Sequence, residues 1–317
     1  MTETAVHGWC PLCGAGTADP ILEVERNDVW RRLEQDWGLR LSDPVRAANS
    51  TTATVTMVRC TECGLDRFDP LEPGGPDFYE ELMSAMPYAR ARWDFAVARR
   101  RIVAAHDVAD LGCGDGRFLL SLGSRTGRTV GVDHHEGAVR RLKHLGAEGY
   151  AVPFATFAQE EAGRFDVVTS FHTLEHVPDP VGMFRAAMEC VRPGGLLLVS
   201  MPNRERTWRE EGEPLDRPPH HVTRWGPAQL RRLAGADGVR LEHLWFEPPG
   251  PRQAASLAED GMRRRVARWP APLRAASARG AWLAGATLAL AEHRRLGLGY
   301  ARRGVYGHTM MAAIRRI

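Results

Sequence analysis

The stretch Val108-Ala109-Asp110-Leu111-Gly112-Cys113-Gly114-Asp115-Gly116 constrains this chain more than any other. A short apolar run ends in three glycines at alternate positions, and Arg117-Phe118-Leu119-Leu120 continues at once in helix-forming sequence. Glycine lets the backbone turn sharply and lets a ligand come close to the main chain, while free N–H groups opening a helix favour an anion such as a carboxylate. The spacing is GxGxG, which differs from the GxGxxG of nicotinamide-binding folds.

The flanking pattern extends this reading. Apolar runs at 107–112, 128–133, 165–171 and 195–201 alternate with the helical stretches RFLLSLGS, EGAVRRLKHL and PVGMFRAAMECV. Such alternation predicts an α/β domain with a Rossmann-like, mostly parallel seven-stranded sheet covered by helices on both faces. Two of its strands are expected at 239–246 and 305–314. The expected organisation is a cysteine-bearing module over 1–75 and a helical linker over 76–106 that packs on the second module. A core over 107–250, a helical insertion or lid over 251–304 and a final strand over 305–317 follow. The run Thr129-Val130-Gly131-Val132 ends in Asp133, the placement of an acid that accepts hydrogen bonds from both hydroxyls of a ribose. Two strand ends then point at one nucleoside.

With the motifs VADLGCGDG, VGVD, FDVVTSFHTLEHVPDP and RPGGLLLVSMPN on the page, the segment from about Asp107 to Arg240 resembles the class I methyltransferases that use S-adenosylmethionine (SAM). The likeness is to the group that includes ubiquinone-biosynthesis and polysaccharide-cluster enzymes. It implies SAM as cofactor, Gly112, Gly114 and Gly116 along its methionine part, Asp110 bracing the loop, Asp133 on the ribose and His134 beside the adenine. Phe171 and His172 at the end of the fourth strand join that cofactor site, and Cys113 sits within the glycine loop as a packing residue. One departure is visible: Ala151-Val152-Pro153-Phe154-Ala155-Thr156-Phe157 lacks the acid that often meets the adenine amino group in these enzymes, so the adenine contact is unassigned.

Methyl transfer from a sulfonium is an in-line displacement. The enzyme has to position the acceptor and, for a hydroxyl, take its proton. Candidate residues belong beyond the carboxyl ends of the strands. His172-Thr173-Leu174-Glu175-His176 arrives there. As a bare pattern it is that of a zinc peptidase, but such a site needs both histidines on one helical face, whereas a buried strand precedes and Pro178 follows. In the ubiquinone-type enzymes that this segment resembles, the same place carries acids and a histidine for a divalent cation, so the resemblance implies a weak metal role for Glu175 and His176; hydrogen bonds that orient the loop are the other reading. Beyond the fifth strand, Asp216-Arg217-Pro218-Pro219-His220-His221-Val222-Thr223-Arg224-Trp225 is too polar and proline-rich for core. It resembles a feature of zinc-ribbon-bearing methyltransferases of secondary-metabolite and glycan clusters. His220 or His221 is the expected general base, with His176 as a third catalytic candidate; a cap or a backbone hydrogen bond is the competing role.

Cys10-Pro11-Leu12-Cys13-Gly14 and Cys60-Thr61-Glu62-Cys63-Gly64 are two CxxCG knuckles separated by 46 residues. Together they suit a closed, structural four-sulfur zinc site, with a redox dithiol as the alternative. The net charge of +3 is unevenly spread. Residues 251–317 hold 13 Arg against three acids, a balance of +10, which leaves −7 for residues 1–250. An acidic body argues against nucleic acid as the partner, and the Asn/Asp-Pro-Pro-aromatic run of amino-directed base methyltransferases is replaced by Ser170-Phe171-His172-Thr173. The expectation is a cytoplasmic enzyme acting on a small-molecule or natural-product hydroxyl. N- or C-methylation of a peptide or sugar, RNA methylation, and SAM binding without turnover are the alternatives. The apolar stretch 280–291 is too short to cross a bilayer and suits a lid, an interfacial helix or a homodimer contact.

Overall fold

A computed structural model describes residues 8–85, 92–207, 212–250 and 306–317. Its first part comprises β1 (Ala18–Glu25), α1 (Arg26–Trp37), α2 (Asp43–Ala48), β2 (Thr54–Cys60), β3 (Asp66–Asp69) and α3 (Pro76–Ala85). The threonine- and valine-rich alternation of TVTMVRC makes β2 a half-buried strand, paired antiparallel with β1 on one side and β3 on the other. Val29, Trp30 and Leu33 fall on one face of α1 and pack with Met57, Phe68, Phe78 and Leu82 in a core of their own. Gly38, at φ 67°, ends α1 in the left-handed conformation and donates its N–H to Glu34 O, the cap for which glycine is best suited.

The second part begins with α4 (Trp93–Arg99) and β4 (Val108–Leu111), continues through α5 (Arg117–Leu120), β5 (Thr129–Val132), α6 (Glu136–His144) and β6 (Glu148–Tyr150), and returns through α7 (Phe154–Glu160), β7 (Phe165–Phe171), α8 (Pro180–Cys190) and β8 (Val191–Pro202). After these come β9 (Thr223–Arg224), α9 (Pro227–Leu233), β10 (Val239–Phe246) and β11 (Thr309–Arg316). The sheet order is β10-β11-β8-β7-β4-β5-β6, and β4 runs parallel to β5 and β7, β5 to β6, and β7 to β8. The chain leaves β4 in one direction, toward β5 and β6, and comes back on its other side as β7. That reversal opens a crevice at the carboxyl ends of β4 and β7, where open α/β sheets bind ligands. The seven-stranded, Rossmann-like sheet expected from the sequence is what forms.

Two features depart from the sequence reading. Phe78 and Leu82 of α3 close the N-terminal core, whereas Ala98, Trp93, Phe95 and Val97 of α4 join the core of the large sheet with Phe118, Leu142 and Val167. The segment expected to pack on the second module is therefore divided between the two, because its apolar residues lie on two separate helices. The short β9, inside the polar loop beyond β8, joins the other sheet: Asp66 pairs with Arg224 and Arg67 with Thr223, completing the order β1-β2-β3-β9.

By contacts the chain divides into Met1–Arg204 with Glu210–Trp245 and Met310–Ile317, and a second unit of Glu205–Arg209 with Phe246–Thr309. Within the second unit Thr207 N donates to Tyr306 O at 3.0 Å. The insertion expected over 251–304, including 280–291, lies outside the described residues. Among the described residues no helix is long and apolar enough to cross a membrane.

Phe78 is fully buried, and removing so large a ring from a packed core leaves a cavity. Phe78→Ala should cost about 3–5 kcal/mol of stability, read as a shift of the urea midpoint. A loss below about 1 kcal/mol would show that α3 is not part of this core.

Candidate active site and cysteine cluster

Gly112, Gly114 and Gly116 have φ of 79°, 53° and 74°, a region in which side chains are strained. A methyl group on Gly112 would overlap Thr173 in the loop after β7, and one on Gly116 would overlap Leu142 of α6. Asp133, at the end of β5, ties the loop down: Oδ2 accepts from Gly114 N at 2.9 Å and Oδ1 from His135 N at 2.8 Å. Asp110 is buried beneath the loop and accepts from Thr169 Oγ1 at 2.7 Å. Burial pushes its pKa up to about 7. Cys113 is packed under the loop, with Sγ 3.7 Å from Gly114 O. Phe171 lies in the core below, its ring 4.9 Å from Phe95 and 4.6 Å from Phe118. The His134 ring meets Phe154 edge-on at 4.6 Å. An aromatic corner thus stands in the stretch from which the expected adenine acid is missing.

His172 sits at φ 54°, which for a residue with a side chain costs on the order of 1–3 kcal/mol. Its Nε2 is 3.7 Å from Asp94 Oδ2 and its Nδ1 is 3.3 Å from Glu175 Oε1, and burial pulls its pKa down to about 3. Asp94, on α4, is buried, receives Arg92 and accepts from Ser200 Oγ at 2.7 Å. Burial raises its pKa, but Arg92, His172 and Ser200 together hold it below the ordinary carboxylate range. Sequence reasoning missed Asp94. Its one signal was an acid amid Trp93, Phe95, Ala96 and Val97.

The structure brings the three catalytic candidates together. The rings of His176 and His220 are 4.6 Å apart, those of His176 and His221 4.8 Å, and those of His220 and His221 4.4 Å in a stack. His176 Nδ1 donates to His220 O at 2.6 Å, His220 Nδ1 donates to Leu215 O at 2.8 Å, and His221 Nδ1 lies 3.4 Å from Asp216 Oδ1. Tyr79 of α3 donates its hydroxyl to His220 O at 3.3 Å, a second residue the sequence reading did not single out. Burial lowers the pKa of all three histidines, His221 to about 3. They are neutral imidazoles at neutral pH, able to accept a proton but not to serve as standing cations. Backbone bonds explain the convergence of two distant loops: Val222 N donates to Glu175 O at 2.9 Å, Phe68 N donates to Val222 O at 3.0 Å, and Gly74 N donates to Pro219 O at 2.8 Å.

The four N-terminal cysteines also meet. Their Sγ atoms lie within 4.8 Å of one another, with Cys10–Cys63 and Cys13–Cys60 each at 3.5 Å. Tetrahedral thiolates about 2.3 Å from a zinc ion stand roughly 3.8 Å apart, so the set fits such an ion. Each knuckle turns through a left-handed glycine, Gly14 at φ 73° and Gly64 at φ 68°, whose N–H donates to the carbonyl of Cys10 or Cys60. Cys63 O accepts from Gln229 Nε2 of α9 at 2.7 Å, and Gly64 O accepts from Arg204. The second knuckle is thereby fastened to the large domain. None of the six cysteines is joined in a disulfide.

A family model described as "Methyltransferase domain" matches residues 80–244. The chain belongs to that family. The methyltransferase domain is 38% identical over 122 residues to ubiquinone biosynthesis O-methyltransferase of Pseudomonas aeruginosa (strain UCBPP-PA14), a match spanning 36% of this chain and 51% of that protein. It is also 38% identical over 110 residues to the enzyme of that name from Acinetobacter baumannii (strain AYE), spanning 32% and 46%. The match thus spans about half the length of the curated relatives. Among solved structures, a SAM-dependent methyltransferase from Archaeoglobus fulgidus is 15% identical with a TM-score of 0.49, covering 76% of this chain and all of that one. The [4+2]-cyclase SpnF is 17% identical with a TM-score of 0.46, covering 73% and 84%.

The raised pKa of Asp110 has a measurable sign. Folded Asp110 keeps its proton up to about pH 7, whereas the unfolded carboxyl loses it near 3.8. Between those values the folded state binds the extra proton, and the stabilisation it brings is lost as pH rises. Wild-type protein should therefore lose urea stability relative to Asp110→Asn between pH 5 and pH 8. An unchanged difference across that range would contradict a protonated Asp110.

Proposed function

We propose that the protein transfers the methyl group of SAM to a hydroxyl oxygen of a small-molecule acceptor such as a natural product. The observation that carries the reading is the pairing of the left-handed glycine loop with Asp133 at the switch point of the sheet, opposite a histidine cluster on the acceptor side. When bound there, SAM would supply an electrophilic sulfonium methyl. The backbone of Gly112, Gly114 and Gly116 would take its methionine end, Asp133 the ribose, and the corner formed by His134 and Phe154 the adenine. Phe171 and Cys113 then support the site from beneath, and Asp110 and His172 hold the two loops that flank it. The likeness to proteins named O-methyltransferases supports oxygen as the accepting atom.

On the acceptor side a neutral imidazole takes the hydroxyl proton as the oxygen approaches the methyl carbon. His220 and His221 are the two candidates. Asp216, beside His221 Nδ1, would stabilise the imidazolium that forms and favours His221, with His176 packed against both. The four cysteines hold a structural zinc ion, closed to substrate by its four thiolates. Thiolates held by zinc at both knuckles would accord with a reducing, cytoplasmic setting.

Calorimetry should show SAM and its demethylated product binding with one site per chain; no heat at high protein concentration would remove the cofactor reading. His221→Ala or His220→Ala should lower turnover by about 100-fold or more with SAM affinity intact, and unchanged turnover in both would remove the histidine role. Purified protein should carry a metal ion at the cysteine cluster. Cys60→Ser should lose that ion and lower the melting temperature, while a metal-free cluster with unaltered melting would contradict the zinc assignment.

A further inference from the structure

The rings of His220 and His221 are stacked 4.4 Å apart, yet their surroundings differ. Neutral groups tie His220: its Nδ1 donates to Leu215 O at 2.8 Å, and its own carbonyl accepts from His176 Nδ1 at 2.6 Å and from the Tyr79 hydroxyl at 3.3 Å. His221 Nδ1 instead faces a carboxylate, 3.4 Å from Asp216 Oδ1. A carboxylate can only accept, so it favours the Nδ1–H tautomer of His221 and leaves the lone pair on Nε2. The same carboxylate can balance a positive charge on that ring, which a backbone carbonyl does less well.

Asp216 is itself buried, at 6% exposure, and a buried carboxylate beside a neutral imidazole is costly unless a cation stands near it. Arg224 is that cation. Its Nη2 lies 3.3 Å from Asp216 Oδ2, so the two carboxylate oxygens are divided between His221 and Arg224. Asp66, opposite Arg224 in the pairing of β3 with β9, already has two arginines: Arg59 at 2.7 and 3.0 Å and Arg204 at 3.2 Å.

The backbone under Arg224 is held from both sides. On one side β9 pairs with β3; on the other, Trp225 bridges to Asn203 just beyond β8, and its carbonyl accepts from Arg204 N at 2.8 Å. The Trp225 ring is buried and donates Nε1–H to Thr223 Oγ1 at 2.9 Å. Arg224 Nη1 also lies 3.6 Å from Met57 Sδ of β2. A guanidinium on so constrained a strand is set to hold one acid in one place.

We infer that Arg224 is a positioning residue for methyl transfer: it holds Asp216 against Nδ1 of His221 and thereby makes His221, rather than His220, the base. The inference rests on the methyl-transfer reading for its chemical role alone. Nε2 of His221 takes the hydroxyl proton of the acceptor while the O–H electron pair forms the new bond to the methyl carbon. The pair of the breaking C–S bond remains on sulfur. Asp216 balances the charge on the ring until the proton passes to solvent. Without Arg224 the buried carboxylate turns away or takes up a proton. A protonated carboxyl donates to Nδ1, and His221 then becomes the Nε2–H tautomer, with no lone pair for the acceptor.

Nitrogen NMR spectra of the histidine rings in the full-length protein test the assignment, with His220 and His221 identified by the signals lost from His220→Gln and His221→Gln. Both should be Nδ1–H tautomers in the wild type. Arg224→Met should move His221 toward the Nε2–H tautomer and leave His220 unchanged, which also establishes that the loop still folds. Arg224→Lys, which keeps the charge, should restore His221 at least in part. Asp216→Asn leaves β9 intact and should turn His221 as Arg224→Met does. Once an acceptor is in hand, Arg224→Met should lower kcat by about tenfold, short of the roughly 100-fold or more expected for loss of the base, with SAM affinity intact. His221 kept as the Nδ1–H tautomer in Arg224→Met or in Asp216→Asn would overturn the proposal, as would a loss confined to KM. The tautomer is read without cofactor or acceptor, so absence of methyl transfer would count against the function proposed above and not against this positioning.

Discussion

Val222 holds the arrangement together with two backbone hydrogen bonds. Its N–H goes to Glu175 in the loop after β7, and its carbonyl accepts from Phe68 in β3. An antiparallel step of sheet thus joins the N-terminal module to the loop after β7 in the methyltransferase domain, and the neighbouring residues His220 and His221 are carried to His176. Without that pairing, three histidines from two distant loops would have no reason to meet. The cysteine knuckles act one layer further out: Gly64 and Cys63 receive Arg204 and Gln229, which fixes the edge of the sheet on which β9 is laid. The cysteine-bearing module is in this sense a scaffold for the histidine cluster.

The cofactor side depends on a different constraint, the lack of room at Gly112. Thr173 fills the space that a side chain would need, so the glycine loop and the loop bearing His172, Glu175 and His176 are packed directly on one another. The left-handed backbone of the first and the positive φ of His172 in the second are two sides of one close approach. Strain at His172 is retained where the chain must turn from a buried strand into this contact. The glycine loop and the histidine-bearing loop therefore share a boundary of backbone, which under the proposed function would suit a displacement that requires two reactants in line.

Much of this was legible in the sequence. The alternation of apolar runs and helices carried the seven-stranded sheet, and the GxGxG run with Asp133 located the crevice. The two CxxCG knuckles named the four cysteines that meet. What stayed hidden depends on pairing between segments far apart in the chain. A two-residue strand such as Thr223–Arg224 has no periodicity to detect, and its partner lies about 150 residues earlier, at Asp66 and Arg67. For the same reason Tyr79 and Asp94 read as ordinary residues of a linker, although one reaches the histidine cluster and the other the end of β7. Phe154 was passed over because an acid was sought in that stretch, while the structure sets an aromatic edge there against His134.

The central claim is that the cofactor crevice and the histidine cluster serve one reaction. The most direct test is to incubate the purified protein with SAM carrying a deuterated methyl group and a panel of phenols, sugars and peptides, following demethylated cofactor and the mass of each acceptor. The account predicts acceptor-dependent release of demethylated cofactor with the labelled methyl on oxygen. Binding of SAM without any acceptor-dependent product across the panel, or a label found on nitrogen or carbon, would contradict it.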